Sequence, residues 1–128
     1  MAQARWLLVV QALWELLRYD VIFRIWGFRR IHAGLRRMAA RQRLGHPSME
    51  TEIREAMKWA FSLYWKPALC LQRSVAMARL YRRHGLDAEV VIGYRAQPFL
   101  SHAWVEINGR IVNDSVVYQQ RLCALERI

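Results

Sequence analysis

Three residues of this sequence have types and an order that could carry nucleophilic chemistry together: Cys70, His102 and Asp114. A thiol attacks as its thiolate, so it needs a base or a positive field beside it. Cys70 follows Pro67 and opens the run CLQRSVAMARLYRR, whose apolar residues recur at helical spacing. That places it in the first turn of a helix, where unpaired N–H groups and the helix dipole favour an anion. Arg73, one turn on, adds positive charge. His102 opens a segment that alternates polar and apolar residues, and Asp114 closes the segment that returns after Asn108-Gly109. Such a set suits acyl transfer: Cys70 attacks a carbonyl, His102 takes its proton, and Asp114 holds the imidazole tautomer and steadies the imidazolium. The Cys70 backbone N–H is one candidate oxyanion donor, and the Trp65 indole is a second by position. Pro98 and Phe99, just before His102, are candidates for a wall of the substrate cleft or for a connecting loop, and Trp104 for core or pocket wall.

The hairpin makes a demand that can be counted. With a two-residue turn at Asn108-Gly109, Ile107 faces Arg110 and the partners' numbers sum to 217. His102 and Asp114 sum to 216, so they would point to opposite faces. With a three-residue loop in which Gly109 is the bulge residue, Glu106 faces Arg110, and His102 lies directly opposite Asp114 with Cβ atoms about 4.5–5.5 Å apart. The triad therefore predicts the three-residue loop or an equivalent bulge. Glu106 shares the His102 face and, at the hairpin end, is expected in solvent.

These residues must be held by elements the pattern also predicts. Leu7, Val10, Trp14, Leu17, Val21 and Ile25 recur at helical spacing, so residues 4–26 read as one amphipathic helix. Gly27 breaks it. A strongly basic helix follows, with Ile31, Leu35 and Met38 on one face and Arg29, Arg30, Arg36, Arg37, Arg41 and Arg43 largely elsewhere. Gly45-His46-Pro47 forms a linker. Ser48 caps a third helix, which buries Ile53, Ala56, Met57, Ala60, Phe61 and Tyr64. Pro67 suits the first turn of a fourth helix, running through Cys70, Ser74, Met77 and Leu80 until Gly85 stops it. Strands follow over 88–94, 102–107 and 110–114. Helices first and strands afterwards make an α+β fold, with a basic helical region over 1–47 and the part that carries the chemistry over 48–128.

Composition narrows the classes. The 128 residues are 55 % hydrophobic and include six tryptophans, more apolar surface than one small domain buries, so part of it is expected under a partner. Residues 1–48 hold nine Arg against Glu15 and Asp20, while 49–128 hold eleven Lys or Arg against eight acids. The basic excess thus sits away from the chemistry, as a solvated face, a dock for an acidic partner or leader, or a contact with anionic membrane. No run approaches the roughly 20 apolar residues of a membrane span, and a cytoplasmic protein is expected. Cys70 and Cys123 are too few for a disulfide framework, and Cys123 reads as structural. Metal-ligand spacings are missing, so neither metal nor cofactor is expected. His32, His46 and His84 read as helix-end or surface residues. Motifs for nucleic-acid binding are missing too, which leaves a non-catalytic basic adaptor as a remote alternative.

The chain from Cys70 to Asp114 resembles the leader peptidases of lasso-peptide biosynthesis, the protease halves of split B proteins within the transglutaminase-like, papain-like cysteine proteases. The resemblance rests on Cys70-Leu71 with Ser74, Arg82 with Gly85, and Val91-Ile92-Gly93, then on Pro98-Phe99, the block His102 to Glu106, and Asn113-Asp114. It covers about residues 53–118. It implies a nucleophile helix packed on a small antiparallel sheet, and a Cys70-His102-Asp114 triad working through an acyl-enzyme. The substrate it implies is a precursor peptide cut between leader and core, with a threonine near the leader's end recognised. It implies as partners a separate leader-recognition protein and an ATP-dependent lasso cyclase. A transglutaminase-like amidase or acyltransferase of another pathway would use broadly the same residues.

Overall fold

The computed structural model describes residues 2–38, 47–96, 99–107, 110–112 and 123–128. Helices α1 (Ala2–Trp26), α2 (Phe28–Arg37), α3 (Pro47–Leu63) and α4 (Cys70–Arg83) precede strands β1 (Ala88–Ala96), β2 (Phe99–Ile107), β3 (Arg110–Ile111) and β4 (Cys123–Arg127). The strands form one antiparallel sheet in the order β3-β2-β1-β4. The fold is α+β, as the order of helical and strand patterns predicts.

Helix α4 is the centre. Every residue from Ser74 to Arg82 is buried, because α1 and α3 cover one side of it and β1 and β2 the other. A helix hidden all round must stop within a buried environment without orphan carbonyls. Gly85, at φ 84°, allows this. The Leu86 N–H donates to the Tyr81 carbonyl at 2.9 Å and the Gly85 N–H to that of Arg82 at 3.1 Å, the paired bonds of a Schellman stop. Arg82 then ties the end down: its guanidinium donates to Ala88 O at 2.9 Å, Leu35 O at 2.6 Å, Met38 O at 3.0 Å and the Ile128 oxygen at 2.9 Å. One side chain thereby joins α4, α2, the start of β1 and the end of the chain.

Helix α1 forms over the span its spacing predicts, and the periodic face Leu7, Val10, Trp14, Leu17, Val21 and Ile25 is exposed. Leu8, Val9, Ala12, Leu16 and Tyr19 enter the core instead, with Glu15 among them. Both sides of α1 are apolar, so its own pattern cannot choose between them. Small Ala12 permits close approach, and Glu15 meets Arg79 Nε at 2.6 Å and Arg83 Nη2 at 2.8 Å, a pairing that only the inward face can make. One hydrophobic cluster then runs from Leu8 through Ile53, Met57 and Leu80 to Ile128.

Smaller boundaries differ as well. Gly27, at φ 79°, breaks α1 from α2, and Ile31 and Leu35 are buried as expected. Helix α3 already starts at Pro47, so Ser48 falls inside its first turn rather than at its cap. Pro67 lies in the irregular stretch before α4, whose first residue is Cys70. Strand β4 has no counterpart in the sequence reading. Arg41, Arg43, His46 and Pro98 lie outside the described residues.

The β2–β3 register overturns the three-residue loop. Ile107 faces Arg110 and Glu106 faces Ile111, and the Val112 N–H reaches Val105 O at 3.0 Å. Two residues therefore connect the strands, as the Asn-Gly pair favours. Asp114 lies outside the described residues, as would any bulge restoring its position opposite His102.

Candidate functional site

Cys70 is the first residue of α4 and is half-buried, with its thiol free. The N-cap position is Leu69, extended at φ −76°, ψ 165°, and its side chain provides no capping bond. The Leu69 carbonyl accepts the Arg73 N–H at 2.9 Å, which starts the helical ladder. The first-turn N–H groups thus lack a side-chain cap, and Cys70 stands at the positive end of the dipole. A helix end of this kind favours a thiolate or an oxyanion.

Residues brought around this end were not identified from sequence. Asp20 of α1 pairs with Lys66 at 2.8 Å and accepts the Tyr64 hydroxyl. Burial alone would raise the Asp20 carboxyl, but hydrogen bonds from Lys66, Tyr64 and Gln72 outweigh it and hold the carboxyl below its ordinary value. Gln72, buried in the first turn of α4, donates to Leu16 O at 3.0 Å. The Tyr19 phenol is pushed up to about 12, first by burial, then by Asp20 and by the Cys70 thiol. Helix α1 thus braces the segment leading into Cys70. The sequence signal was present in Asp20 and Tyr19, but their distance of some fifty residues from Cys70 hid it. Trp65 is largely exposed at the bend before α4, with Lys66 Nζ 5.5 Å from its ring centre.

His102 lies on β2 directly opposite Gly93 of β1. Its level along the sheet follows from α4. Arg82 fixes the helix end at Ala88. Twelve residues back to Cys70 cover about 18 Å of helix, and five residues forward to Gly93 cover about 17 Å of strand. Cys70 and His102 thus lie at similar distances along the chain elements from the Arg82–Ala88 tie. Their faces differ. Val105 and Ile107 join the core beneath the helices, whereas His102 stacks beside Trp104, their ring centroids 6.3 Å apart, and Trp104 packs with Val91 and Ile111 on the other face.

Glu106 corrects another expectation. It is 2 % exposed, not solvated, and accepts from Trp104 Nε1 at 2.7 Å and from Arg127 Nη1 at 2.9 Å. The Trp104 indole is fully buried and its N–H satisfied, so Trp104 is core of the outer face. Phe99 belongs to β2, paired with Ala96, instead of a connecting loop. His84 ends α4 and pairs with Gln11 at 2.9 Å. Burial and Arg83 lower its pKa. Among the described residues, no group of three or more His, Cys, Asp or Glu side chains is placed to hold a metal ion.

Comparison with known proteins gives two findings. Residues 13–127 match the family described as the transglutaminase-like superfamily. Over 59 residues, 46 % of this chain, the sequence is 41 % identical to the microcin J25-processing protein McjB of Escherichia coli. The chain spans only 28 % of that relative's length. No solved structure matches. The match runs from α1 to β4, the helices and sheet just described; the chain belongs to the transglutaminase-like superfamily.

Proposed function

We propose that this protein is a cysteine peptidase that removes the leader from a lasso-peptide precursor. Cys70 attacks the scissile carbonyl, His102 takes the thiol proton and returns it to the leaving amine, and Asp114 orients His102. Water then attacks the thioester, with His102 as base, and releases the acyl group as a carboxylate. The Cys70 N–H at the uncapped start of α4 is the first oxyanion donor, and the Trp65 indole is the second candidate. The observation that carries the reading is the free, half-buried thiol at the first residue of α4, a helix start with no side-chain cap. The 41 % identity to a microcin-processing protein supports the substrate class.

The imidazole must cross from the Trp104 face to the helix side, through a local twist or a one-residue slip of β2 beside Gly93. The β1–β4 register already shifts between Ile92 and Gly93, so this point of the sheet is irregular. The partners of the proposal are the precursor peptide, a separate leader-recognition protein and a lasso cyclase. Mass spectrometry of precursor incubated with the protein and its recognition partner tests it. Leader release by wild type, lost in Cys70→Ala and His102→Ala, supports the triad; release that survives Cys70→Ala overturns it.

A further inference from the structure

The outward face of α1 is a stripe of Leu7, Val10, Trp14, Leu17, Val21 and Ile25, each 43–64 % exposed. The steps of three and four residues make it continuous over about 27 Å. Trp6, Phe23 and Trp26 are exposed along the same helix. The largest apolar patch of an ordinary monomer covers about 300–600 Å², and a rail of this length marks a surface that something covers.

The charge around the stripe points to what covers it. Glu15 and Asp20 are the only acids in residues 2–38. Both are engaged, Glu15 with Arg79 and Arg83 and Asp20 with Lys66. Arg24, Arg29, Arg30 and Arg37 are exposed. Between α1 and α2, beside the stripe, lies a cleft of about 500 Å³ lined by Arg18, Arg29, Arg30, Arg37 and Trp26. Arg30 sits over the Trp26 ring at 5.3 Å. Four arginines and no acid line this cleft, and the pKa of Arg18 is lowered, first by burial and then by Arg79.

We propose that α1 and α2 form a docking element for an anionic phospholipid surface. The α1 stripe lies at the boundary of headgroups and acyl chains, and the arginine cleft receives a lipid phosphate. Tryptophans along the full length of one helix, flanked by arginines and by no available acid, are the composition of an interfacial helix. No described helix is long and apolar enough to cross a membrane, which fits a helix lying in the surface. A groove on another protein would account for the stripe but leave the arginine cleft unfilled. The proposal is independent of the chemistry at Cys70.

Co-sedimentation of the full chain with phosphatidylcholine vesicles, alone or containing about one-third phosphatidylglycerol, tests this, with quenching of tryptophan by brominated lipid as a second readout. We expect binding to the anionic vesicles only, reduced about fivefold per charge in Arg29→Gln/Arg30→Gln. Leu17→Gln/Val21→Gln, at exposed positions, should keep the thermal midpoint and lose the quenching. Equal binding to both vesicle types, or variants that bind as wild type, would overturn the proposal. Complete displacement by inorganic phosphate at matched ionic strength would assign the cleft to a soluble anion and overturn it too. A stable dimer by light scattering, with the tryptophans shielded before lipid is added, would assign the stripe to a second copy instead.

Discussion

Glu15 of α1 accepts from Arg79 Nε of α4 at 2.6 Å inside the core, although the two stand 64 residues apart. Arg83 reaches the other carboxylate oxygen at 2.8 Å. Glu15 is 1 % exposed, so its carboxylate is desolvated and Arg79 and Arg83 balance its charge.

Glu15→Ala should therefore cost about 3–5 kcal/mol in urea unfolding, because it leaves Arg79 with no carboxylate. The double change Glu15→Leu/Arg79→Met should recover most of that loss. A double variant as unstable as the single would show that packing, not charge, is what Glu15 supplies.

Arg82→Met should destabilise by a similar amount, about 3–5 kcal/mol, since four carbonyls, three of them in buried contacts, lose the guanidinium that ties them together. Arg82→Lys should rescue only part of it, as an ammonium cannot hold the forked geometry. Hydrogen exchange should show the amides of Val90 and Ile128, which bond each other's carbonyls, losing protection first.

Acid should weaken the fold in two stages. Burial and Arg83 depress the pKa of His84, so its contribution is full above 6.5 and is lost as pH falls through the lower folded value. Glu50 is held below its ordinary 4.5 first by hydrogen bonds from Arg110, at 2.9 Å to each oxygen, against a smaller opposing effect of burial. Asp20 is likewise held below 3.8. Their contributions are full above those unfolded values and disappear as pH falls through the folded ones. Thermal melts across acidic pH should show a shallow decline removed by His84→Gln, then a steeper one flattened by Arg110→Gln.

Alkali should act through tyrosine. Burial is the leading cause that pushes Tyr19, Tyr64 and Tyr81 up to about 12. The stability they contribute is full below 10 and lost as pH rises through 12. Ultraviolet titration should show three phenols that ionise only with unfolding. Ionisation of all tyrosines near 10 with the fold intact would contradict the burial of Tyr19 and Tyr81.

The sequence by itself determined the order of helices and strands and the stops of α1 and α4. Gly27 and Gly85 stop helices because both adopt positive φ. Asn108-Gly109 marks the connection between β2 and β3, and Cys70 was placed at a helix start by Pro67 and the apolar repeat that follows. These signals are local, set by a few neighbouring residues. Only the tertiary structure decided which side of α1 is buried, because Leu7 to Ile25 and Leu8 to Tyr19 are both apolar stripes and the choice falls to Glu15 meeting Arg79. It also decided that Glu106 is buried, since its partner Arg127 comes from β4, a short strand with no pattern of its own. The face on which His102 stands depends on registers between strands and on which side the helices cover. Those are long-range pairings, and alternation along one strand gives two faces without saying which of them meets the helix.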